Sequence, residues 1–600
     1  MLDVYRKLFD LLTQRERRNF LLMMGILVLV AGAELIGVSA VLALLRVLSD
    51  TEAALAHPLL GSVAETLGID EVGRFQLTFA LATIVMVTVG LVIRASGAFL
   101  MIRYAEMRSY SIGTRLMRAY LAQPYVWFLS RNSAELARSV LNDPGAAVGM
   151  VLRPAMQILS SGVAALVIAG FLVVLDPLIA ISAAVVLAGT YALIYVRLRR
   201  HLQRYGQGIL EAETRRFRLV HEATGGIKEV KLLALERDYD SRFDAATLQR
   251  TRLATIASAV GELPRHALEA LTFTVLVTAV LILLTRTDGQ IGPAIPTLGV
   301  FAFATMRLLP ALQQIYYSLA TMRHGLAVLD RLHTDYAEAA TGRMAEAPPP
   351  GDDRIGLGEA IELDRVSFAY PNAERASLRA LSMTIPARST IGIVGGTGAG
   401  KTTLVDLILG LLRPDSGALR VDGVALDDDT LRLWQRSLGY VPQSIFLTDS
   451  SVTENIAFGM PPDRVDHAAV ERAARMAAIH DFIVDELPQG YDTLVGERGV
   501  RLSGGQRQRI GIARALYHDP DILVFDEATS ALDTLTERVV MEAVQSLRDK
   551  KTVILIAHRL GTVRHCDVIY LLDHGRIAAS GTFEELVAGS ETFRRMAAGA

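Results

Sequence analysis

Cysteine is almost missing from this chain of 600 residues: Cys566 is the single one. One thiol permits no intrachain disulfide and no cysteine-rich zinc site. An excess of charge of one sign is also missing. Lys plus Arg number 61 and Asp plus Glu 63, a net charge of −2, which gives no reason to expect a nucleic-acid partner. The overall totals exclude a disordered chain, a collagen and a disulfide scaffold. Apolar character is what the chain has in plenty. Hydrophobic residues make up 51%, and the mean hydropathy of +0.34 is unusual for a soluble chain of this length.

The near-neutral total hides a split. From Met1 to Asp330 there are about 32 basic and 25 acidic residues, roughly +7, so the remainder carries about −9. Long apolar runs fill the first part. Short apolar runs alternate with Gly-rich turns and charged helices in the second. Between them, Gly342–Gly358 holds three consecutive prolines and reads as a linker. The expected domains are 1–335 in the membrane, a linker at 336–358, and a soluble α/β domain at 359–600.

Six spans are expected, near Phe20–Leu48, Phe75–Ile102, Met150–Leu175, Leu178–Val196, Ala257–Leu284 and Pro293–Leu319. A helix needs roughly 20 apolar residues to cross a bilayer core. Lys and Arg cluster before the first span, between Arg103 and Asn142, and between Arg197 and Arg265. The opposite segment Ser49–Arg74 is acidic. Positive charge stays on the cytoplasmic side, so both termini and the two long connections are expected there. The first span is too long for a signal-peptide core and is expected to stay as an anchor. Helical periodicity in the connections predicts that spans two to five continue as helices below the membrane. They should bend near Pro124–Asn132 and Gly225–Asp240. Tyr125, Trp127 and Phe128 at the first bend, and Ile227, Val230 and Leu232 at the second, are candidates to dock on another domain.

The second part carries the chemistry. A strand at Thr390–Val394 runs into Gly395, Gly396, Thr397, Gly398, Ala399, Gly400, Lys401 and Thr402, followed by Thr403 and a helix. This is the phosphate-binding loop pattern. Its backbone N–H groups curl round phosphate oxygens, and the helix N-terminus adds positive dipole. Lys401 is placed for the β- and γ-phosphates, and Thr402 for Mg²⁺. A second strand, Ile522–Phe525, ends in Asp526 and Glu527. Asp526 suits Mg²⁺, and Glu527 suits the task of polarising an attacking water.

Between these motifs stands Leu502-Ser503-Gly504-Gly505-Gln506, the signature of ATP-binding cassette proteins. From about Ile361 onward the chain resembles a complete cassette domain. The whole chain resembles an ATP-binding cassette exporter with six spans and one cassette. The implied fold is an all-α transmembrane domain with long cytoplasmic helices, followed by an α/β P-loop ATPase domain. The resemblance implies that Tyr370 stacks on adenine, that Gln443 links Mg²⁺ to the membrane domain, and that Gly496–Gly499 meets the cytoplasmic helices. It makes Ser530–Asp533 the D-loop, with Asp533 its acid, and His558 the switch histidine. Alone, a Tyr or His after a strand usually packs or caps; here order and spacing give the functional reading. The cofactors implied are ATP and Mg²⁺. Two cassettes pair head to tail, so Ser503 and Gly505 of one subunit face the phosphate held by Lys401 of the other. One cassette per chain implies a half-transporter, most simply a homodimer, with no nucleic-acid partner. The expected location is the cytoplasmic membrane of a bacterium.

Cargo is read from charge inside the spans. Glu34 lies in the first, Arg94 in the second, Arg265 at the start of the fifth and Arg307 in the sixth. Such residues face a cavity or a partner. They can bridge internally, or form a cationic cavity for a pyrophosphate or phosphate. The membrane domain is also similar to the lipid-linked-oligosaccharide flippase subgroup, on Glu34–Val38, the amphipathic segment Ala54–Leu67 and the placement of Arg94, Arg265 and Arg307. That resemblance implies a polyprenyl-pyrophosphate cargo. Hydrophobic drugs, lipid A-like lipids and peptides are the rivals within this architecture. A soluble cassette ATPase is the rival outside it.

Overall fold

Only a helix or closed barrel satisfies its own backbone polar groups in hydrocarbon, and the apolar runs fold as helices. The structure is a computed structural model that describes residues 2–49, 72–286, 295–339, 354–371, 373–496, 499–527, 537–538, 541–542, 547, 550–557 and 559–598. The chain divides into two compact units. One comprises Met1–Gln123 and Arg131–Met344, the other Pro124–Ser130 and Ala345–Ala600.

The first unit is helical. A short amphipathic helix, α1 (Leu2–Leu11), buries Val4, Leu8 and Leu11. Thr13 and Glu16 then bond each other's backbone N–H, at 3.3 and 2.9 Å, a reciprocal cap that starts the next helix. Six long helices follow: α2 (Gln14–Ser49), α3 (Val72–Leu121), α4 (Arg153–Leu175), α5 (Pro177–Gly225), α6 (Glu236–Arg286) and α7 (Ile295–Ala339). Among the described residues three stretches are long and apolar enough to cross a membrane: Gln14–Leu45, Val72–Leu121 and Asp143–Leu175. The count of six is an expectation from the sequence. At 45 to 51 residues, α3, α5, α6 and α7 each exceed what a bilayer core requires. Of the long continuations read from periodicity, those of α3, α5 and α6 are present as unbroken helix, whereas the stretch before α4 is divided into Ser133–Leu141, Asp143–Ala147 and Val148–Leu152.

Both bends fall where expected. Pro124 precedes a short helix, Tyr125–Leu129. Gly226 precedes another, Ile227–Leu232, and Ala234 then takes a left-handed φ of 51°. At the second bend Val230 is buried while Ile227 and Leu232 are exposed. Before α4 the chain makes a π-turn at Val148–Leu152. Gly325 of α7 lies against it so closely that a Cβ there would be 2.5 Å from the Met150 Cβ. Helix α7 continues to Ala339, so the first four residues of the expected linker are helical. The amphipathic segment Ala54–Leu67 lies outside the described residues.

In the second unit, strands β1 (Ala360–Phe368), β2 (Leu378–Pro386), β4 (Ser416–Val421) and β5 (Val424–Ala425) form an antiparallel sheet in the order β2-β1-β4-β5. Strands β3 (Thr390–Gly395), β6 (Leu438–Val441), β7 (Ile522–Asp526), β8 (Thr552–Ile556), β9 (Val568–Asp573) and β10 (Arg576–Gly581) form a second sheet in the order β10-β9-β3-β8-β7-β6. Its central strands are parallel. Every residue of β7 and β8 is buried, as a parallel sheet covered on both faces requires. Sequence caps fix the helices around it: Asp427 with Thr430, Ser451 with Glu454, and Thr582 with Glu585 each make a capping box. Trp434 is fully buried and its indole N–H donates to the Ile408 carbonyl at 2.8 Å. That bond pins the end of the helix that follows the phosphate-binding loop.

Candidate functional site

The loop after β3 leads into helix α8 (Lys401–Ile408). Gly400 caps it with φ of 101°, a conformation an L side chain rarely adopts. A Cβ there would also meet the Ser377 carbonyl oxygen at 2.8 Å. Gly396, Thr397, Gly398 and Thr402 are exposed, while Gly395, Ala399, Lys401 and Thr403 are buried. The Lys401 ammonium donates to the carbonyls of Gly395, at 2.8 Å, and Gly396, at 3.3 Å. The side chain is thus folded back over the loop. Burial pulls its pKa below the ordinary lysine value, against the opposing charges of Glu527 and Asp526.

Asp526 ends β7 and accepts from the Tyr440 hydroxyl at 3.4 Å. Glu527 follows with a left-handed φ of 51°, its N–H bound to the Ile556 carbonyl at 3.0 Å. The Gln443 amide N–H donates to the Glu527 carboxylate at 2.7 Å. The structure thus brings Gln443 to Glu527 and leaves the Gln443 carbonyl oxygen for a cation. Thr402 hydroxyl, Gln443 carbonyl and Asp526 carboxylate are hard oxygen donors of the kind Mg²⁺ takes beside nucleotide phosphates. The Tyr370 hydroxyl lies 3.3 Å from Thr403 Oγ1, and its ring stands edge-on to Phe368.

Ser503 caps helix α9 (Gly504–Leu516). Its hydroxyl accepts from the Gln506 N–H at 3.2 Å, and the Gln506 side chain accepts from the Ser503 N–H at 2.7 Å. Among the described residues no hydrogen bond joins this box to the phosphate-binding loop. The Ser503 hydroxyl proton has no acceptor there either. Glu497, Arg498, the segment Ser530–Asp533 and His558 lie outside the described residues.

One buried carboxylate escaped the motifs. Asp406 on α8 is 6% exposed. Burial, then the charge of Asp526, pushes its pKa up to about 6. Asp406 in turn acts on Tyr125, whose phenol is raised by burial and by Asp406 and Tyr370. Tyr125 belongs to Pro124–Ser130, which is part of this unit, and Val126 packs on the core cluster of the antiparallel sheet. The first-bend segment therefore sits beside the nucleotide loop.

In the first unit, Arg94 of α3 and Arg307 of α7 line one cavity of about 240 Å³, with residues of α2 and α4 on its other sides. They also line a smaller recess with Ala33, Gly37 and Gly90. The Arg307 guanidinium lies over the Phe303 ring at 5.7 Å. Glu34 and Arg265 lie on α2 and α6, with side chains outside the described residues. Sequence reasoning missed the polar wall of this cavity, Gln157, Ser160, Ser161 and Gln314. Their signal was uncharged polarity at helical spacing in an otherwise apolar run.

These features define a class: a P-loop nucleotide-binding domain fused to a domain of membrane-length helices. The model of the ABC transporter transmembrane region matches residues 39–306, and that of the ABC transporter domain matches residues 378–530. The chain belongs to the ABC transporter family. It is 35% identical over 380 residues to an ATP-dependent lipid A-core flippase of Cupriavidus pinatubonensis, 62% of each chain. That match spans less than two thirds of the relative. A protein of the same description from Albidiferax ferrireducens is 33% identical over 482 residues, 78% of this chain and 80% of the other. The solved structure of a bacterial Atm1-family ABC exporter with ATP bound has a similar fold, with TM-score 0.75 over 98% of both chains at 24% identity.

Proposed function

We propose that this chain is the half-transporter of an ATP-driven exporter, a homodimer that flips an amphipathic lipid with an anionic head group across a bacterial cytoplasmic membrane. One observation carries the cargo reading: Arg94 and Arg307, far apart in sequence, share a single cavity between helices of membrane length. Guanidinium is the side chain best matched to phosphate oxygens. Two such groups per subunit become four in a dimer, and six with Arg265.

At the cassette, Lys401 and the loop N–H groups hold the β- and γ-phosphates. Thr402, Gln443 and Asp526 would hold Mg²⁺, which would supply positive charge against the phosphate oxygens. Glu527, fixed by Gln443, orients the attacking water and takes its proton. The free Ser503 hydroxyl proton suits a phosphate presented by the second subunit, with Asp533 and His558 completing the interface. Cassette closure on ATP then drives alternating access, and hydrolysis resets it.

The finer reading is a polyprenyl-pyrophosphate oligosaccharide. A lipid A-like lipid is the second reading, favoured by the names of the relatives. Both carry phosphate on a glycan. Reconstituted vesicles with fluorescent versions of each lipid test the proposal. ATP-dependent flipping should be lost in an Arg94→Ala/Arg307→Ala variant that still binds ATP. Full flipping by that variant overturns the anionic head-group reading, and the drug or peptide exporter takes its place.

A further inference from the structure

The arginine cavity has a second wall with different chemistry. Gln157, Ser160 and Ser161 stand on α4 and Gln314 on α7, all lining the cavity that holds Arg94 and Arg307. The spacing of three and then one puts the α4 trio on one helix face.

Several threonine hydroxyls in the long apolar helices are committed to their own backbone. Thr83, Thr88, Thr190, Thr274 and Thr278 each donate to the carbonyl four residues earlier, at 2.7–3.0 Å. Ser160 and Ser161 make no such bond. Among the described residues no protein group bonds either hydroxyl or the Gln157 amide. Gln314 donates to Ser318 Oγ at 3.1 Å, which leaves its carbonyl oxygen for the cavity. An unmet polar group in hydrocarbon costs several kcal/mol, and polar residues at this depth mark substrate paths. These four carry no charge, so they add nothing to phosphate neutralisation. They match a hydroxyl or an amide.

We propose that Gln157, Ser160, Ser161 and Gln314 form a neutral subsite that hydrogen-bonds the uncharged hydroxyl and amide groups next to the cargo's phosphate. The head group is then a sugar phosphate and not a bare phosphate. This rests on the reading of the arginine cavity as the head-group site.

The test uses the full-length protein in lipid nanodiscs. Two probes are compared: a polyprenyl pyrophosphate, and the same lipid bearing one N-acetylhexosamine. The readout is the lipid concentration that half-stimulates ATPase. Gln157→Leu and the pair Ser160→Ala/Ser161→Ala should raise that concentration about tenfold for the sugar-bearing lipid. The bare lipid should stay within about twofold. Arg94→Ala/Arg307→Ala should weaken both. The serine pair removes only two oxygen atoms and keeps the test decisive if Gln157→Leu misfolds. Equal shifts for both lipids, or no shift for either, in the serine and glutamine variants overturn the subsite. An arginine variant that shifts neither lipid overturns the underlying cavity reading instead.

Discussion

Replacing Glu527 by Gln removes one charge and almost no shape. The Gln443 amide can still donate to the new side-chain carbonyl across the 2.7 Å contact seen with the carboxylate. What is lost is the charge-assisted part of that bond, about 1 kcal/mol. The left-handed backbone at φ of 51° is unchanged, and so is the Glu527 N–H bond to Ile556. The fold should therefore tolerate the change, with a melting shift of a few degrees. Chemistry should not. A positioned general base contributes roughly 10²–10⁴ in rate, or about 3–5.5 kcal/mol of barrier. Steady-state phosphate release should fall by that factor, while fluorescent-ATP affinity stays within about threefold. A second effect has a defined sign. Glu527 is one of two carboxylates that hold the Lys401 ammonium up against burial. Its removal should make ATP binding fail at a lower alkaline pH than in the parent. Phosphate release within tenfold of the parent would refute the role assigned to Glu527.

Two further outcomes are expected. Arg331 makes a bidentate pair with Asp143, at 2.7 and 3.1 Å, and Asp143 is 4% exposed; Arg331→Ala should cost about 3–5 kcal/mol, and Asp143→Leu/Arg331→Met less, by thermal unfolding in detergent. Asp406, with its pKa pushed up to about 6, gives stability that is present below the ordinary aspartate value and lost as pH rises through about 6. Asp406→Asn should thus stabilise the nucleotide-free protein by up to roughly 3 kcal/mol at pH 7.5 and much less near pH 4.5, and an equal gain at both would contradict the burial argument.

The nucleotide loop was legible because glycines at fixed spacing have few other uses, and the structure puts Gly400 at a φ that few other residues adopt. Strands β3 and β7 were legible to within a residue, since both are continuous apolar runs ending in functional groups. The left-handed turn at Glu527 was not legible, because nothing local demands it. It comes from pairing with β8 and from Gln443. Asp406 was passed over because a lone acid in an amphipathic helix usually faces water, and only the sheet beneath it decides otherwise. The neutral wall at Gln157, Ser160 and Ser161 hid among apolar neighbours because charge was the signal sought. At the first bend, aromatics pointed to a docking segment, and Tyr125 and Val126 do lie against the nucleotide-binding unit.

That segment has a consequence in time. Between Pro124–Ser130 and Ala345 the ribosome must make the 214 residues Arg131–Met344. At 5–20 residues per second this is a wait of roughly 10–40 s. Throughout that interval Val126 has no core to pack on. The nucleotide-binding unit cannot be finished by the chain from Ala345 onward alone, since its first piece is made early and joined late. A cassette expressed from Ala345 onward would lack that piece, and its surface beside Tyr370 and Asp406 would stay open.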